Sequence, residues 1–597
     1  MKRVSEQIAD WLAKQNIKQA FTVTGGGSMF LNVDVGSHTE INTVFMHHEQ
    51  ACSMAAEAYA RINNSPALLL TTTGPGAINA FNGVYGAFTD SIPMIVISGQ
   101  VKSDTCLDFA DNLLNLRQLG DQEGPTVRMA KAITKYAALI RRPKDLESML
   151  PQAYKMATTG RPGPVWLDIP IDIQNSTEQL DFKPIDYFLV SDTVLKADIA
   201  NLITKLKQSH RPLILAGTGV HLSGSKELLI NLIEKYKLPL ATAWSHDLIE
   251  SDHELFVGRP GTIGTRAGNF CLQAADLVIV IGSRLNIRQT GYNYKDFAKN
   301  AHIVHVDIDV AELTKKTVPI DYKIITDAKV FLEKLYLELA KTQLPSYQNW
   351  IDWCKNINKK FDVALEHTQL PDKPINPYIA VKNIFDNLRS DDIIVCGNAS
   401  ACIMPFQIGH LTRSNRMFSN SGSASMGYDL PAAIGAACAT DKRVVCFAGD
   451  GSIMMNIQEL QTLKTLNKNV IIILLNNNGY LSIKQTHENF FGKIIGATPN
   501  TGVEFPDFTK LAQTFGIPGQ TIDNKNISDL SGLIKDLNGP YLLNIIVDPE
   551  QGFAPRIKAR INADGKFEPL QLDDMHPYID KDLLNEIRLS AEAILAN

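Results

Sequence analysis

Between Gly449 and Tyr480 the chain reads GDGSIMMNIQELQTLKTLNKNVIIILLNNNGY, which sets one carboxylate, Asp450, between two glycines and closes on Asn476, Asn477 and Asn478. The segment SIMMNIQELQTLKTL has apolar residues at helical spacing from Ser452 onward, so it predicts a helix whose free N–H groups face back toward Asp450. A helix N-terminus attracts phosphate through its partial positive charge and unused donors. An aspartate in the same turn repels that phosphate unless a divalent cation lies between them. Mg²⁺ takes six oxygens, one or two from protein side chains and the rest from phosphate and water. NVIIILLNN, returning as a strand parallel to RVVCFAGDG, brings the Asn477 amide oxygen and the Gly479 carbonyl to the same rim. The spacing reads as a magnesium diphosphate site: Asp450, Asn477 and Gly479 on the metal, Gly451, Ser452 and Asn477 beside the cofactor. A plain turn accounts for GDG alone, but not for two halves joined by a helix and a strand.

The elements that must hold such a site alternate along the whole chain. Apolar runs such as ALLLTTTGPG, MIVISGQV, VWLDIPI, PLILAGTG, DLVIVIGSR, HIVHVDID and DIIVCGN are separated by amphipathic stretches. Continuous Val/Ile/Leu strands with intervening helices indicate parallel sheets covered on both faces, an α/β architecture. Many of these strands end in glycine turns, where ligands collect in open parallel sheets. Polar, proline-bearing stretches near 175–192 and 342–378 read as connectors over a surface. They divide the chain into 1–180, 190–340 and 375–550, with a tail from 551 to 597.

A length of 597 residues exceeds one hydrophobic core. The formal charge of -5 gives no basic field for nucleic acid or an anionic membrane. The opening MKRVSEQIADWLAKQNIKQAF is an amphipathic helix broken by charges, neither a signal peptide nor a membrane span. Eight scattered cysteines, with no CxxC pair, suit buried thiols in a reducing cytoplasm. The expected class is a cytoplasmic enzyme without nucleic-acid or membrane partners.

GDG, a helix, a strand and NN together resemble the signature of thiamine diphosphate enzymes. TTTGPGAINAFNGVYGAFTDSIPMIVISGQV, GRPGPVWLDIPIDIQ and SMGYDLPAAIGAACA are similar, nearly motif for motif, to the acetolactate synthase large subunit. The resemblance implies three doubly wound parallel-sheet domains: pyrimidine-binding, central Rossmann-like and diphosphate-binding. It implies that Glu49, in HHEQACSMAAEAYAR after His47 and His48, hydrogen-bonds the cofactor's aminopyrimidine and is catalytic. Met426 matches the bulky apolar residue that props the cofactor into its bent form. Gly74, in the TTTGPG turn, and Asn398, where synthases show Gln-His-Gln, are further cofactor candidates. In the synthases the pyrimidine domain of one subunit faces the diphosphate domain of another, so a homodimer or homotetramer is implied.

The central unit resembles the domain that binds FAD in the synthases. Arg284 and Asp309 match flavin-contacting positions, but Leu285, Asn286 and Ile287 replace Phe-Asp-Asp, and relatives exist that keep the fold without flavin. Arg288 matches an arginine that meets the second substrate. Synthases carry Phe-Gln-Glu where this chain has Asp121, Gln122 and Glu123; they carry Met and Trp where it has Ser482 and Thr486. Two apolar groups exchanged for hydroxyls suit a wider, more polar acceptor. Gln122, Arg288, Ser482 and Thr486 are therefore the substrate-side candidates. The expected reaction is decarboxylation of pyruvate with transfer of its two-carbon unit to a second carbonyl. That carbonyl is pyruvate in the acetolactate synthase-like reading and a keto sugar or other polar carbonyl compound, as in branched-sugar biosynthesis, in the alternative. Simple decarboxylation of a 2-oxo acid ranks below both. A catalytically silent regulatory relative is disfavoured by intact Glu49, Asp450, Asn477 and Met426.

Overall fold

A computed structural model describes residues 1–109, 116–185, 195–370, 372–558, 560–561, 567–568 and 571–594. The first sheet holds Gln19–Thr22 (β1), Asn42–Phe45 (β2), Ala67–Thr71 (β3), Met94–Gln100 (β4), Tyr136–Leu139 (β5) and Pro164–Pro170 (β6). The second holds Pro212–Ala216 (β7), Leu240–Thr242 (β8), Leu277–Ile281 (β9), His302–Asp307 (β10) and Tyr322–Ile325 (β11). The third holds Ile393–Cys396 (β12), Arg416–Phe418 (β13), Val444–Gly449 (β14), Val470–Asn476 (β15), Gly519–Ile522 (β16) and Tyr541–Ile546 (β17).

All neighbouring strands in these three sheets are parallel. The first sheet runs β2-β1-β3-β4-β6-β5 and the third β13-β12-β14-β15-β17-β16, the same order twice; the second runs β11-β10-β9-β7-β8. These are doubly wound orders, with a reversal between the first and third strands of each unit, where ligands bind in such sheets. In the third unit that reversal lies between β12 and β14, which end immediately before Gly397–Asn398 and Asp450. The β14–β15 register pairs Gly449 with Leu475, so Asp450 and Asn477 emerge from one rim.

The first and third units share a core. One buried cluster runs from Phe21, Leu69 and Val96 through Ala55 to Ala433, Cys446 and Ile472. At its centre the helix Glu49–Asn63 lies against the helix Asp429–Ala439. A Cβ on Gly435 would stand 2.0 Å from the Ala55 carbonyl oxygen, so only glycine allows these backbones to approach this closely.

Three expectations are corrected. The predicted helix after Asp450 is broken: Asp450–Ile453 forms one helical turn, Met454–Asn456 a 3₁₀ turn and Glu459–Leu466 a second helix. At the break the buried Asn456 side chain donates to the Gly427 carbonyl at 2.8 Å, tying the 3₁₀ turn to the residue after Met426. Within the stretch read as a surface connector, Gln348–Lys360 is a helix whose Trp350, Ile351, Cys354 and Ile357 are buried. Beyond 551, the helix Lys581–Glu592 returns to the central unit, burying Leu584 and Ile587 in a cluster with Trp350 and Phe270. Residues 186–192 of the other expected connector lie outside the described residues.

Candidate functional site

Asp450 is the first residue of its helical turn and only 3% exposed. Its Oδ1 accepts from Gly451 N at 2.7 Å and its Oδ2 from Gly479 N at 3.1 Å. Burial pushes its pKa up to about 6, against the opposing pull of these backbone donors. One terminal atom of the Asn477 amide lies 2.7 Å from the Gly479 carbonyl oxygen and 3.0 Å from Asp450 Oδ2. As nitrogen it donates two hydrogen bonds; as oxygen it completes a triad of mutually facing acceptors. Metal–oxygen distances of about 2.0–2.1 Å give an octahedral edge near 2.9 Å, close to the 2.7 and 3.0 Å that separate the Asn477 atom from its two neighbours. The donor set thus fits Mg²⁺: one carboxylate, one amide and one carbonyl, with open positions for phosphate and water.

The remaining diphosphate-side candidates join this cluster, with roles that differ from residue to residue. Ser452 Oγ accepts from Gly427 N at 2.9 Å, tying the GDG turn to the residue after Met426. Asn398 Nδ2 donates to the Ala424 carbonyl at 3.3 Å, two residues before half-buried Met426. Gly451 serves packing, because a Cβ there would lie 2.0 Å from the Tyr480 ring and its N–H is spent on Asp450. Gly449 is the open glycine, with nothing within 4 Å of a built Cβ.

Glu49 opens the helix Glu49–Asn63, and His48 caps it by accepting from Gln50 N. A carboxylate at that end is favoured by the helix dipole. Glu49 is 8% exposed, and its Oε2 accepts from Asn79 Nδ2 at 3.0 Å. Its Oε1 lies 3.0 Å from where a Cβ on Gly76 would stand, so that glycine keeps the carboxylate accessible. Gly74, at φ +55°, lies beneath Gln122, whose carbonyl oxygen is 1.9 Å from the position a Gly74 Cβ would take. Asn79 escaped sequence reasoning; its signal was its place at the end of the short helix that the TTTGPG turn begins. Among the described residues no hydrogen bond joins Glu49 to Asp450, Asn477 or Gly479.

On the substrate side, Ser482 and Thr486 occupy one face of the helix Leu481–Phe491. The exposed Thr486 hydroxyl donates to the Ser482 carbonyl at 2.9 Å, within its own helix. Arg288 is exposed above the Trp244 ring at 5.8 Å, and the Gln122 carbonyl lies against Gly74.

A separate cleft of about 400 Å³ follows the carboxyl ends of the central strands, lined by Thr218, Arg284, Gln289, Asp307 and Glu312 among others. Gln289 is buried and its Nε2 has no partner, so the cleft offers one unsatisfied donor. Asp309, by contrast, is bound to Arg161 at 2.8 Å and caps its own helix through Ala311 N. Arg284 stands 3.9 Å from Asp90.

Residues 2–120, 199–335 and 397–545 match the family models for the N-terminal TPP binding domain, the central domain and the C-terminal TPP binding domain of thiamine pyrophosphate enzymes. The chain is 31% identical to the acetolactate synthase large subunit of Lactococcus lactis subsp. lactis over 94% of its own length and 95% of that protein's. It is 31% identical to the acetolactate synthase isozyme 2 large subunit of Escherichia coli, covering 93% and 97%. A probable acetolactate synthase large subunit of Methanocaldococcus jannaschii is 30% identical, with 98% of each chain covered. The chain belongs to the thiamine pyrophosphate enzyme family and is similar, along nearly its whole length, to acetolactate synthase large subunits.

Proposed function

We propose that the chain is a thiamine pyrophosphate- and Mg²⁺-dependent carboligase that decarboxylates pyruvate and transfers the remaining two-carbon unit to a second carbonyl compound. The observation that carries this is that the Asp450 carboxylate, the Asn477 side-chain amide and the Gly479 carbonyl meet at one rim, the amide 2.7 Å from the Gly479 carbonyl oxygen and 3.0 Å from Asp450 Oδ2. These residues would hold Mg²⁺ against the cofactor's diphosphate. Bound thiamine pyrophosphate supplies an electron sink for the pair released as CO₂ leaves a 2-oxo acid. Glu49 has Oε2 occupied by Asn79 and Oε1 free, so Oε1 is the atom that would exchange a proton with a ring nitrogen. Met426 would supply the apolar support beneath the bound ring.

The acetolactate synthase reading makes pyruvate the acceptor as well. The second reading, transfer to a keto sugar, is favoured by Ser482 and Thr486, which leave an open polar helix face where the synthases have bulky apolar groups. Incubation with labelled pyruvate, with and without a keto sugar, and mass spectrometry of the products separates the two. Rapid acetolactate formation without added acceptor rejects the sugar reading.

Two further proposals concern partners. Met29, Val33, Phe45, Ile78, Tyr85, Phe88, Met454 and Met455 are large, apolar and exposed, and they border the Glu49 and Asp450 elements. A second copy would cover them and bring Glu49 of one chain to Asp450 of the other. In the central cleft, Arg284 and Gln289 are the groups that suit a flavin nucleotide, while Asp309 is committed to Arg161. Flavin absorbance released by denaturation tests this. No helix among the described residues is long and apolar enough to cross a membrane; a cytoplasmic location is part of the same proposal.

A further inference from the structure

The segment Asn420–Met426 leads into the residue matched to the cofactor prop, and it is not relaxed. Ala424 holds φ +53°, a left-handed conformation that a non-glycine residue keeps only where its surroundings impose it. Its amide donates to the Asn420 carbonyl at 2.7 Å, and its carbonyl accepts from Asn398. Ser452 and Asn456 hold the following Gly427, and further restraint comes from one helix of the first unit, Phe81–Asp90.

Ser425 Oγ donates to Asn82 Oδ1 at 2.7 Å near the start of that helix, and Gly422 N donates to Asp90 Oδ1 at 3.0 Å at its end. Between them Gly86 faces the segment: a Cβ built there would stand 3.5 Å from Asn420 Nδ2 and 3.9 Å from Ser423 Cβ, leaving room for a methyl and no more. Positions 82, 86 and 90 recur every fourth residue and share one helix face. The segment therefore runs antiparallel along the helix.

The far end of the track is itself fixed. Asp90 Oδ2 accepts from Arg61 at 2.6 Å; Arg61 also holds Glu57, and Glu57 accepts from Tyr428 Oη at 2.6 Å. Met426 thus lies between Ser425 and Tyr428, both tied to the first unit of the same chain. A Cβ on Gly422 would fall 2.3 Å from Asp90 Oδ1 and 2.8 Å from Thr89 Oγ1, so no other residue fits at that anchor without displacing it.

We propose that Asn82, Gly86 and Asp90 form a positioning track that sets Met426 against the bound cofactor. In this proposal all three act through the segment, by their contacts with Ser425, Gly422, Asn420 and Ser423. The proposal rests on the reading of Met426 as the cofactor's apolar support.

The test uses the full chain with Mg²⁺. Thiamine pyrophosphate affinity and the near-ultraviolet circular dichroism of the bound cofactor are measured for Asn82→Ala, Ser425→Ala and the double variant. Each single change removes the same hydrogen bond and should raise Kd roughly five- to tenfold, with the double variant no worse than the singles and melting little changed. Gly86→Leu, which presses on the segment without removing a bond, should weaken the cofactor's dichroism and lower kcat at saturating cofactor. Unchanged affinity in both single variants, or losses that simply add, overturns the track. Met426→Ala separates the two levels. If it is impaired while Asn82→Ala is not, the track alone fails; if it leaves affinity and dichroism unchanged, the reading of Met426 fails and the proposal with it.

Discussion

Glu49 and Asp450 are both carboxylates at the first position of a helix, yet their surroundings assign them opposite tasks. Among the described residues Glu49 keeps one oxygen without a hydrogen bond beside Gly76, whereas both oxygens of Asp450 accept from backbone donors and its Oδ2 lies 3.0 Å from the Asn477 amide. Glu49→Gln keeps the shape and removes the proton-holding oxygen, so turnover of pyruvate should fall by about 10²–10⁴ while thiamine pyrophosphate still binds; equal turnover would remove Glu49 from the chemistry. For Asp450 the prediction concerns pH. Burial raises its pKa to about 6 from an ordinary 3.8, so its folded form retains the proton. Its contribution to metal-free stability is complete below the unfolded value and is lost as pH rises through about 6. Mg²⁺ binds the carboxylate form, so the thermal stabilisation by Mg²⁺ and cofactor should be small near about pH 5 and grow to a plateau by about pH 7.5. In Asp450→Ala that pH-dependent gain should vanish. A stabilisation equal at both pH values, or retained in the variant, contradicts the metal assignment.

At the scale of elements, the site is a matter of which strand ends meet. The alternation of apolar runs was enough to read parallel sheets from the sequence, and the GDG and NNN segments on successive strands were enough to place Asp450 and Asn477 at one rim. Glycine turns were less legible. Read as openings for ligand, they divide on inspection: Gly449 faces open space, but Gly451 makes room for Tyr480, and a Cβ on Gly219 would stand 2.7 Å from Gly282 Cα. Such close approaches are set by tertiary packing and leave no local mark in the sequence. The break after Ile453 was equally hidden, because the apolar spacing continues through it and the Asn456 side chain there meets Gly427, a partner 29 residues away. The clearest element-scale test is Gly74→Ala. It demands φ +55° of alanine and drives its Cβ to 1.9 Å from the Gln122 carbonyl oxygen. The 122 loop must move, and denaturant unfolding should report a loss of about 1–3 kcal/mol together with weaker cofactor binding. Unaltered stability and binding would mean the two loops do not meet as described.

For the molecule as a whole, no hydrogen bond among the described residues joins the Glu49 and Asp450 clusters, and large apolar side chains such as Val33, Phe45, Met454 and Met455 are exposed nearby in the chain. The particle in solution should therefore have at least twice the 65.9 kDa of one chain. A charge placed in the exposed apolar surface, as in Val33→Glu with Phe45→Glu, should shift it toward monomer and remove activity together; a fully active monomer would refute the shared-site reading. The acceptor was the least legible feature, because Thr486 is exposed on the helix face it shares with Ser482 and its hydroxyl is bonded within that helix. The central claim is tested most directly by incubating the chain with labelled pyruvate, with and without a keto sugar, and with thiamine pyrophosphate and Mg²⁺ each present or omitted, then measuring CO₂ and identifying the products by mass spectrometry. The account predicts CO₂ release and a product carrying the labelled two-carbon unit joined to a second carbonyl compound, only when both cofactors are present. Cofactor-loaded protein that leaves pyruvate untouched, or that yields only acetaldehyde and CO₂, would contradict it.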